Sequence, residues 1–276
     1  MHVARFAARR VAFRTLHESG CFLIPNPWDV GSARALQHLG FKALATTSSG
    51  FAWANGRPDN AMDVEAVLAH CRAIVEATDL PVNADFEDGH ARDLDGLKKN
   101  VRRCIETGVA GLSIEDATGD PSQPLYEFEE AVARIRAARA AIDASGEDVM
   151  LIGRAECFLT GHPDPLNESL KRLRAFADAS ADCLYAPGAR TREQITAIVQ
   201  AVAPKPVNVL IGWPAPFTLA ELAQLGVRRV SVGGALAGAA WGGFLRAARR
   251  LAEGRFDGFA DNAAHAEMNG MFDPQA

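Results

Sequence analysis

The chain has 276 residues, 48% hydrophobic and 23% charged, with a formal net charge of −5. That is ordinary for a soluble globular protein with ample core, and a weakly acidic balance without a dominant basic face excludes nucleic acid as the main partner. No run approaches the roughly 18 apolar residues of a membrane span, and five scattered cysteines without a CxxC pair exclude a disulfide framework or a zinc knuckle.

The first segment, MHVARFAARRVAFRTLHESG, has basic residues but neither a continuous apolar stretch nor a small-residue cleavage site, so it reads as an amphipathic helix. Eight short apolar runs with polar ends follow in order. They start at Cys21, Ala43, Pro81, Ala110, Val149, Ala181, Pro206 and Val227. Between them lie segments of helical period, such as EFEEAVARIRAARAAIDASG, whose Phe128, Ala131, Val132 and Ile135 form an i, i+3, i+4, i+7 stripe. Gly40, Gly108 and Gly226 stand where helices should stop. Strands alternating with helices imply parallel βα units, and eight of them close into a (β/α)8 TIM-type barrel, an α/β fold. A doubly wound open sheet is the alternative. With no linker or shift in composition, residues 1–254 read as the barrel and 255–276 as an extension of the same domain, partly ordered or in contact with another subunit. The cysteine usage implies a reducing, cytoplasmic setting.

In such barrels the chemistry sits at the C-terminal strand ends. The third run ends Asn83-Ala84-Asp85-Phe86-Glu87-Asp88, the fourth Ser113-Ile114-Glu115-Asp116 and the fifth Gly153-Arg154-Ala155-Glu156. Alternation places Asp85 with Glu87, Ser113 with Glu115, and Arg154 with Glu156. Several carboxylates in one mouth repel unless neutralised, which suits Mg²⁺ or Mn²⁺ held partly through water. The structural alternative is pairing with arginine or helix capping, and capping suits Asp88 and Asp116 well. Arg154 offers a planar fork for a carboxylate or phosphonate; otherwise it pairs with Glu156 or Glu115. The segment Thr46-Thr47-Ser48-Ser49-Gly50-Phe51 reads as an anion cradle or as an ordinary turn.

These pieces, from LIPNPWDVGSARALQHLGFKALATTSSGFAWANGRPD through LPVNADFEDG, VAGLSIED, LIGRAECF, ADCLYAPG and PVNVLIG to RRVSVGGAL, resemble the isocitrate lyase and phosphoenolpyruvate mutase superfamily in order and spacing. The resemblance implies a barrel whose last helix is often swapped between subunits of a homodimer or homotetramer. It implies Mg²⁺ at Asp85, with Glu87 and Glu115 supporting the metal, commonly through water. Ser49, Gly50 and Phe51, with Ser48 adjacent, match the cradle for a substrate carboxylate or phosphonate. Arg154 matches the arginine that holds substrate, Asp59 an aspartate beyond the second strand, and Asn208 a polar position on the seventh. One departure stands out: the lyase loop K-[KR]-C-G-[HS] is missing, and Ala-Thr-Gly-Asp-Pro-Ser-Gln-Pro-Leu-Tyr follows Asp116 instead. The asparagine- and lysine-bearing mutase loop is missing too. The expected activity is Mg²⁺-dependent cleavage of a carbon–carbon bond in a small α-oxo or hydroxy carboxylate, by retro-aldol cleavage or decarboxylation through an enolate. Phosphonate P–C chemistry and a non-catalytic oxo-acid-binding barrel are the alternatives. Arg154 and Glu115 are expected to take part in catalysis. The acid–base group is left open among Tyr185, His90 and Glu156, and Tyr126 either covers the site or packs a helix start.

Overall fold

The computed structural model describes residues 2–273. Eight strands form one sheet: β1 (Phe22–Ile24), β2 (Leu44–Ala45), β3 (Val82–Asp85), β4 (Gly111–Glu115), β5 (Met150–Arg154), β6 (Cys183–Tyr185), β7 (Val207–Leu210) and β8 (Arg229–Ser231). Every pairing is parallel, in the order β1-β8-β7-β6-β5-β4-β3-β2. The two remaining edges meet where Ala45 N–H donates to Pro25 C=O at 3.1 Å, just past β1, so the sheet is a nearly closed barrel rather than an open doubly wound sheet. Asn26 rivets this seam. Its Nδ2 donates to Thr46 C=O at 2.9 Å, and its Oδ1 accepts from Val232 and Gly233 N–H, each at 2.9 Å.

The interior is filled from the N-terminal end of the strands. Helix α1 (His2–Leu16) inserts Phe13, fully buried, among Ile24, Ala45, Met150, Ile152 and Cys183. Gly111 makes room for it: a Cβ there would stand 2.8 Å from the Phe13 ring and 2.9 Å from Asn83 Oδ1. The basic residues of α1 do specific work. Arg9 donates to Val75 C=O at 2.8 Å and to Thr78 C=O, and Arg10 donates to Ile105 and Val109 C=O, each at 3.1 Å. They neutralise the carbonyl ends of α4 (Val64–Ala77) and α5 (Leu94–Ile105), where the helix dipole favours cations.

The remaining helices are α2 (Val30–His38), α3 (Ser48–Ala54), α6 (Phe128–Ser145), α7 (Pro165–Asp178), α8 (Arg192–Val202), α9 (Leu219–Gln224), α10 (Ala235–Ala252) and α11 (His265–Phe272). Gly40, Gly108 and Gly226 take positive φ at the expected stops. Side chains of Asp29, Asp63, Asp93, Asp164, Thr191 and Thr218 cap helix starts. Asp88 and Asp116, which suited that role by sequence, do not cap. The cap of α5 is Asp93, and α6 opens at Glu127 without a side-chain bond. Asp116 is instead buried against Arg172, 3.1 Å from its Nη1. The extension beyond residue 254 folds back: Asp257 pairs with Arg250 of α10, and α11 packs on α2.

Candidate active site

The register of β4, β5 and β6 puts Glu115, Arg154 and Tyr185 side by side as the last residues of their strands. Arg154 Nη1 lies 3.1 Å from Glu115 Oε2 and 3.0 Å from Asp85 Oδ1, the latter from the end of β3. Its Nε donates to Glu156 Oε1, and its guanidinium carbon stands 5.4 Å from the Tyr185 ring centre. Both partners of the structural alternative are therefore present, and Asp85 is a third. Asp85 is fixed from the other side as well: its Oδ2 accepts from Ser48 N–H at 3.0 Å, and its own N–H donates to Thr46 Oγ1 at 2.8 Å.

Two cavities open here. The inner one, about 180 Å³, is lined by Ser48, Ser49, Asp59, Asp85, Arg154, Tyr185 and Asn208. The outer one, about 700 Å³, is walled by Glu87, Glu115, His90 and the loop after β4. The alternation argument holds for Asp85 but not for Glu87. The strand stops at Asp85, and Glu87 turns into left-handed conformation at φ +47°, which carries its side chain to the outer cavity. The Thr46–Phe51 segment runs from the end of β2 through the capping Thr47 into α3, rather than forming an ordinary turn. Ser48 and Ser49 line the inner cavity, as does Asp59. Gly50 stands behind them. Its N–H goes to the capping Thr47 Oγ1 at 3.4 Å, and a Cβ would lie 2.9 Å from Trp28 and 2.7 Å from Thr47. Phe51 turns away to stack on His70 of α4, ring centres 4.0 Å apart.

The charge balance of the mouth is negative. Burial, reinforced by Asp85, Asp59 and Asp88, pushes the Glu87 carboxyl up to about 8. Burial also raises Glu115, with Glu156, Asp85 and Glu87 adding repulsion against the pull of Arg154. Asp59 and Glu156 are raised for the same first reason. One guanidinium thus serves several oxygen donors, and a divalent hard cation would relieve the excess. Among the described residues no three His, Cys, Asp or Glu side chains form a complete ligand set by themselves. The carboxylate oxygens of Asp85, Glu87 and Glu115 are of the donor type that a hard divalent cation takes.

Among the acid–base candidates, Tyr185 reaches the inner cavity. Glu156 is pinned by Arg154, and its N–H donates to Asp116 Oδ1 at 2.7 Å. His90 sits on the outer wall, edge-on to Phe86 and 3.9 Å from Glu87. Tyr126 lines the outer cavity and is held beside the start of α6: it donates to Asp88 Oδ2 at 2.7 Å under the Arg134 guanidinium. The loop after β4 is tied down by Tyr126 N–H to Asp116 C=O (2.9 Å) and Thr118 N–H to Pro124 C=O (3.1 Å). All five cysteines are free, and Cys71, Cys104, Cys157 and Cys183 are buried. Sequence reasoning overlooked Arg229 and Ser231, which also line the inner cavity. The signal was present: an arginine and a serine at alternating positions within Val227-Arg-Arg-Val-Ser-Val, where a buried strand should be apolar.

With this geometry in place, the similarities to known proteins take on meaning. Residues 13–252 match the family model described as phosphoenolpyruvate phosphomutase. The Mycobacterium tuberculosis protein Rv1998c, of uncharacterised function, is 31% identical over 88% of this chain and 90% of its own. An oxaloacetate decarboxylase of Paraburkholderia xenovorans is 32% identical over 80% of this chain and 74% of its own. A crystal structure from Burkholderia cenocepacia J2315, provisionally assigned as a lyase or mutase, superposes with TM-score 0.93 and 45% identity over 97% of both chains. An oxaloacetate acetylhydrolase bound to its product oxalate superposes with TM-score 0.85 and 27% identity over 96% of this chain and 94% of its own. The chain belongs to the phosphoenolpyruvate phosphomutase family, within the isocitrate lyase and phosphoenolpyruvate mutase superfamily.

Proposed function

We propose that this protein is a Mg²⁺-dependent lyase that breaks a carbon–carbon bond in a small α-oxo or hydroxy carboxylate through an enolate. The observation that carries this reading is the juxtaposition of Arg154 with Asp85 and Glu115 at three strand ends, an anion-binding fork beside a cation-binding carboxylate. Relatives named for action on oxaloacetate support it. In this reading Asp85 is the direct metal ligand, and Glu87 and Glu115 hold metal-bound water. Bound there, Mg²⁺ (or Mn²⁺) supplies Lewis-acid stabilisation of the developing enolate. Arg154 clamps the substrate carboxylate in a bidentate contact whose charge cannot be lost. Ser48, Ser49 and Asp59 line the same cavity; Gly50, packed on Trp28, and Phe51, stacked on His70, set the angle of α3 that presents the serines. Tyr185, neutral because burial pushes it up to about 12, is the proton donor facing the cavity.

The family model's own name favours a second reading, phosphonate P–C chemistry on the same enolate logic. A metal-dependent turnover screen separates them. Oxaloacetate, methylisocitrate and related acids turn over in the first case, and phosphonopyruvate alone in the second. Binding without turnover across the panel would overturn both in favour of an oxo-acid-binding barrel.

The assembly proposed is a homodimer or homotetramer. Of the 18 residues of α10 only Ala237 is buried, whereas α6, equally long, buries eight. Trp241, Phe244, Leu245 and Leu251 are exposed, and Trp28, Ala54, Trp241 and Phe244 border a groove of about 210 Å³. Such an apolar face fits a second copy of the chain. Among the described residues no helix is long and apolar enough to cross a membrane. The free cysteines fit a cytoplasmic setting.

A further inference from the structure

Five arginines are buried among the described residues, and four of them have a carboxylate partner: Arg9 has Asp79, Arg10 Glu147, Arg134 Asp88 and Arg172 Asp116. Arg229 has none. It opens β8, is 3% exposed, and its two hydrogen bonds go to neutral oxygens: Nε donates to Asn208 Oδ1 at 2.9 Å and Nη1 to Asn83 Oδ1 at 3.5 Å. A guanidinium has five N–H donors and does not lose its charge in a protein, so most of its donors and all of its charge are left over. Nη2 bonds to no acceptor among the described residues. Yet it is not sealed off as His17 Nε2 is, and the cavity that Arg229 lines is the inner one. The bond to Asn83 sets the depth. Asn83 precedes Asp85 by two residues on β3, so Arg229 reaches a level about 6–7 Å below the strand end that carries Asp85. Ser113, Asn208 and Ser231 line the cavity at this depth and are neutral. Ser231 Oγ accepts from Asn208 Nδ2 at 2.9 Å and keeps its own hydrogen to donate.

We propose that Arg229, with Ser231 beside it, is a second anion subsite on the floor of the inner cavity, and that it takes the far carboxylate of a four-carbon dicarboxylate whose other end lies at Asp85 and Arg154. The identity of the ligand rests on the oxo-acid lyase reading above; the anion subsite does not. The two arginines differ in what they offer. Arg154 is matched by Asp85, Glu115 and Glu156, so an incoming carboxylate has to displace a protein one there. At Arg229 nothing has to leave, and its free donors form charge-assisted bonds as they stand. Contact at both levels selects by length, because a two-carbon acid at the rim falls short of the floor. It also selects by charge. A ligand with a methyl group in place of the far carboxylate leaves the guanidinium desolvated and unpaired, the situation in which a buried polar site rejects an analogue. Arg229 is a substrate-binding residue; Asn208 and Asn83, whose amide oxygens hold the guanidinium, are positioning residues.

The test compares racemic malate with racemic α-hydroxybutyrate, which has a methyl group where malate has its far carboxylate, by calorimetry in the presence of Mg²⁺. The wild type should bind malate about tenfold or more tightly, the worth of a hydrogen bond to a charged group. Arg229→Met should erase that preference by weakening malate, while oxalate, too short for the floor, binds as before. Arg229→Lys keeps the charge without the fork and should retain part of the preference. Arg229→Gln, which still gives Asn208 a donor, should behave as Arg229→Met does and serves if that variant does not fold. Failure of both to fold makes Arg229 structural and overturns the subsite. So does a wild type without preference for malate, or a preference that survives in Arg229→Met. Equal weakening of oxalate and malate overturns the assignment to the far carboxylate. Failure of the wild type to bind oxalate with Mg²⁺ overturns the oxo-acid reading, while the malate comparison still decides the subsite.

Discussion

Arg154 shows how one residue answers two demands. Buried charges cost several kcal/mol unless compensated, and here Asp85, Glu115 and Glu156 supply the compensation. The same guanidinium keeps a face towards the inner cavity, where an incoming carboxylate can exchange places with a protein one. Replacing Arg154 by lysine retains charge but loses the fork. Affinity for oxalate or pyruvate should then fall by about 1.5 to 3 kcal/mol, the worth of a charge-assisted hydrogen bond. An unchanged dissociation constant in calorimetry would make Arg154 purely structural. On the proposed reading Asp85, held by Ser48 and Arg154, is the direct ligand of the cation. Asp85→Ala should abolish Mg²⁺ binding in calorimetry with an oxo-acid present, while Glu87→Ala and Glu115→Ala weaken it less. Equal Mg²⁺ affinity in wild type and Asp85→Ala would sink the metal assignment.

At the scale of elements, the loop between β4 and α6 and the pair α3–α4 are the informative pieces. The loop carries no thiol, and burial pushes the nearest one, Cys157, up to about 11. Burial likewise raises Cys21 to about 11 and lifts Cys183. Thiols of this kind react slowly. Changing all five cysteines to alanine or serine should leave the chemical step intact, apart from lost stability. Iodoacetamide should inactivate slowly and without protection by Mg²⁺ and oxo acid; rapid, substrate-protected inactivation at one cysteine would refute this. On α4, His70 is buried against Phe51, and burial lowers it to about 4. Its folded pKa lies below the unfolded value near 6.5, so between those values the unfolded chain binds more protons. Its contribution is therefore whole above about pH 6.5 and is lost as the pH falls towards 4, at most about 3 kcal/mol. His17, lowered by burial to about 3, acts in the same sense. His70→Leu should flatten the fall of Tm across this window; an unaltered slope would show that His70 is not the group titrating.

For the whole molecule, the contrast between α10 and the other long helices decides the expected assembly. A helix that buries one residue in its own subunit gains too little to hold its conformation alone. Pairing with a second copy would cover Trp241 and Phe244, which already meet edge-to-face with ring centres 5.4 Å apart. Phe244→Asp should therefore turn a dimer or tetramer into monomers by sedimentation velocity. A wild type that is monomeric at tens of micromolar would rule the interface out.

The eight strands, the helix stops at Gly40, Gly108 and Gly226, and the strand-end acids Asp85 and Glu115 were legible in the sequence, because hydrophobic period and glycine conformation are local properties. So was the pairing of Arg154 with Glu156, two residues apart, although Glu156 lies just past the end of β5. Past a strand end, alternation is no longer a guide. Alternation could not place Glu87, because β3 stops two residues earlier and the backbone turns left-handed. Nor could spacing show that Gly50 and Phe51 belong to a helix wedged between Trp28 and His70. Asp116 looked like a cap until Arg172, 56 residues away, claimed it. The meeting of Arg229, Asn208 and Tyr185 needed the register of three strands brought side by side by barrel closure, and no local pattern carries that information. Sequence set each element and its buried face; tertiary structure alone decided which polar ends meet, because hydrogen bonds act at contact distance between residues far apart along the chain.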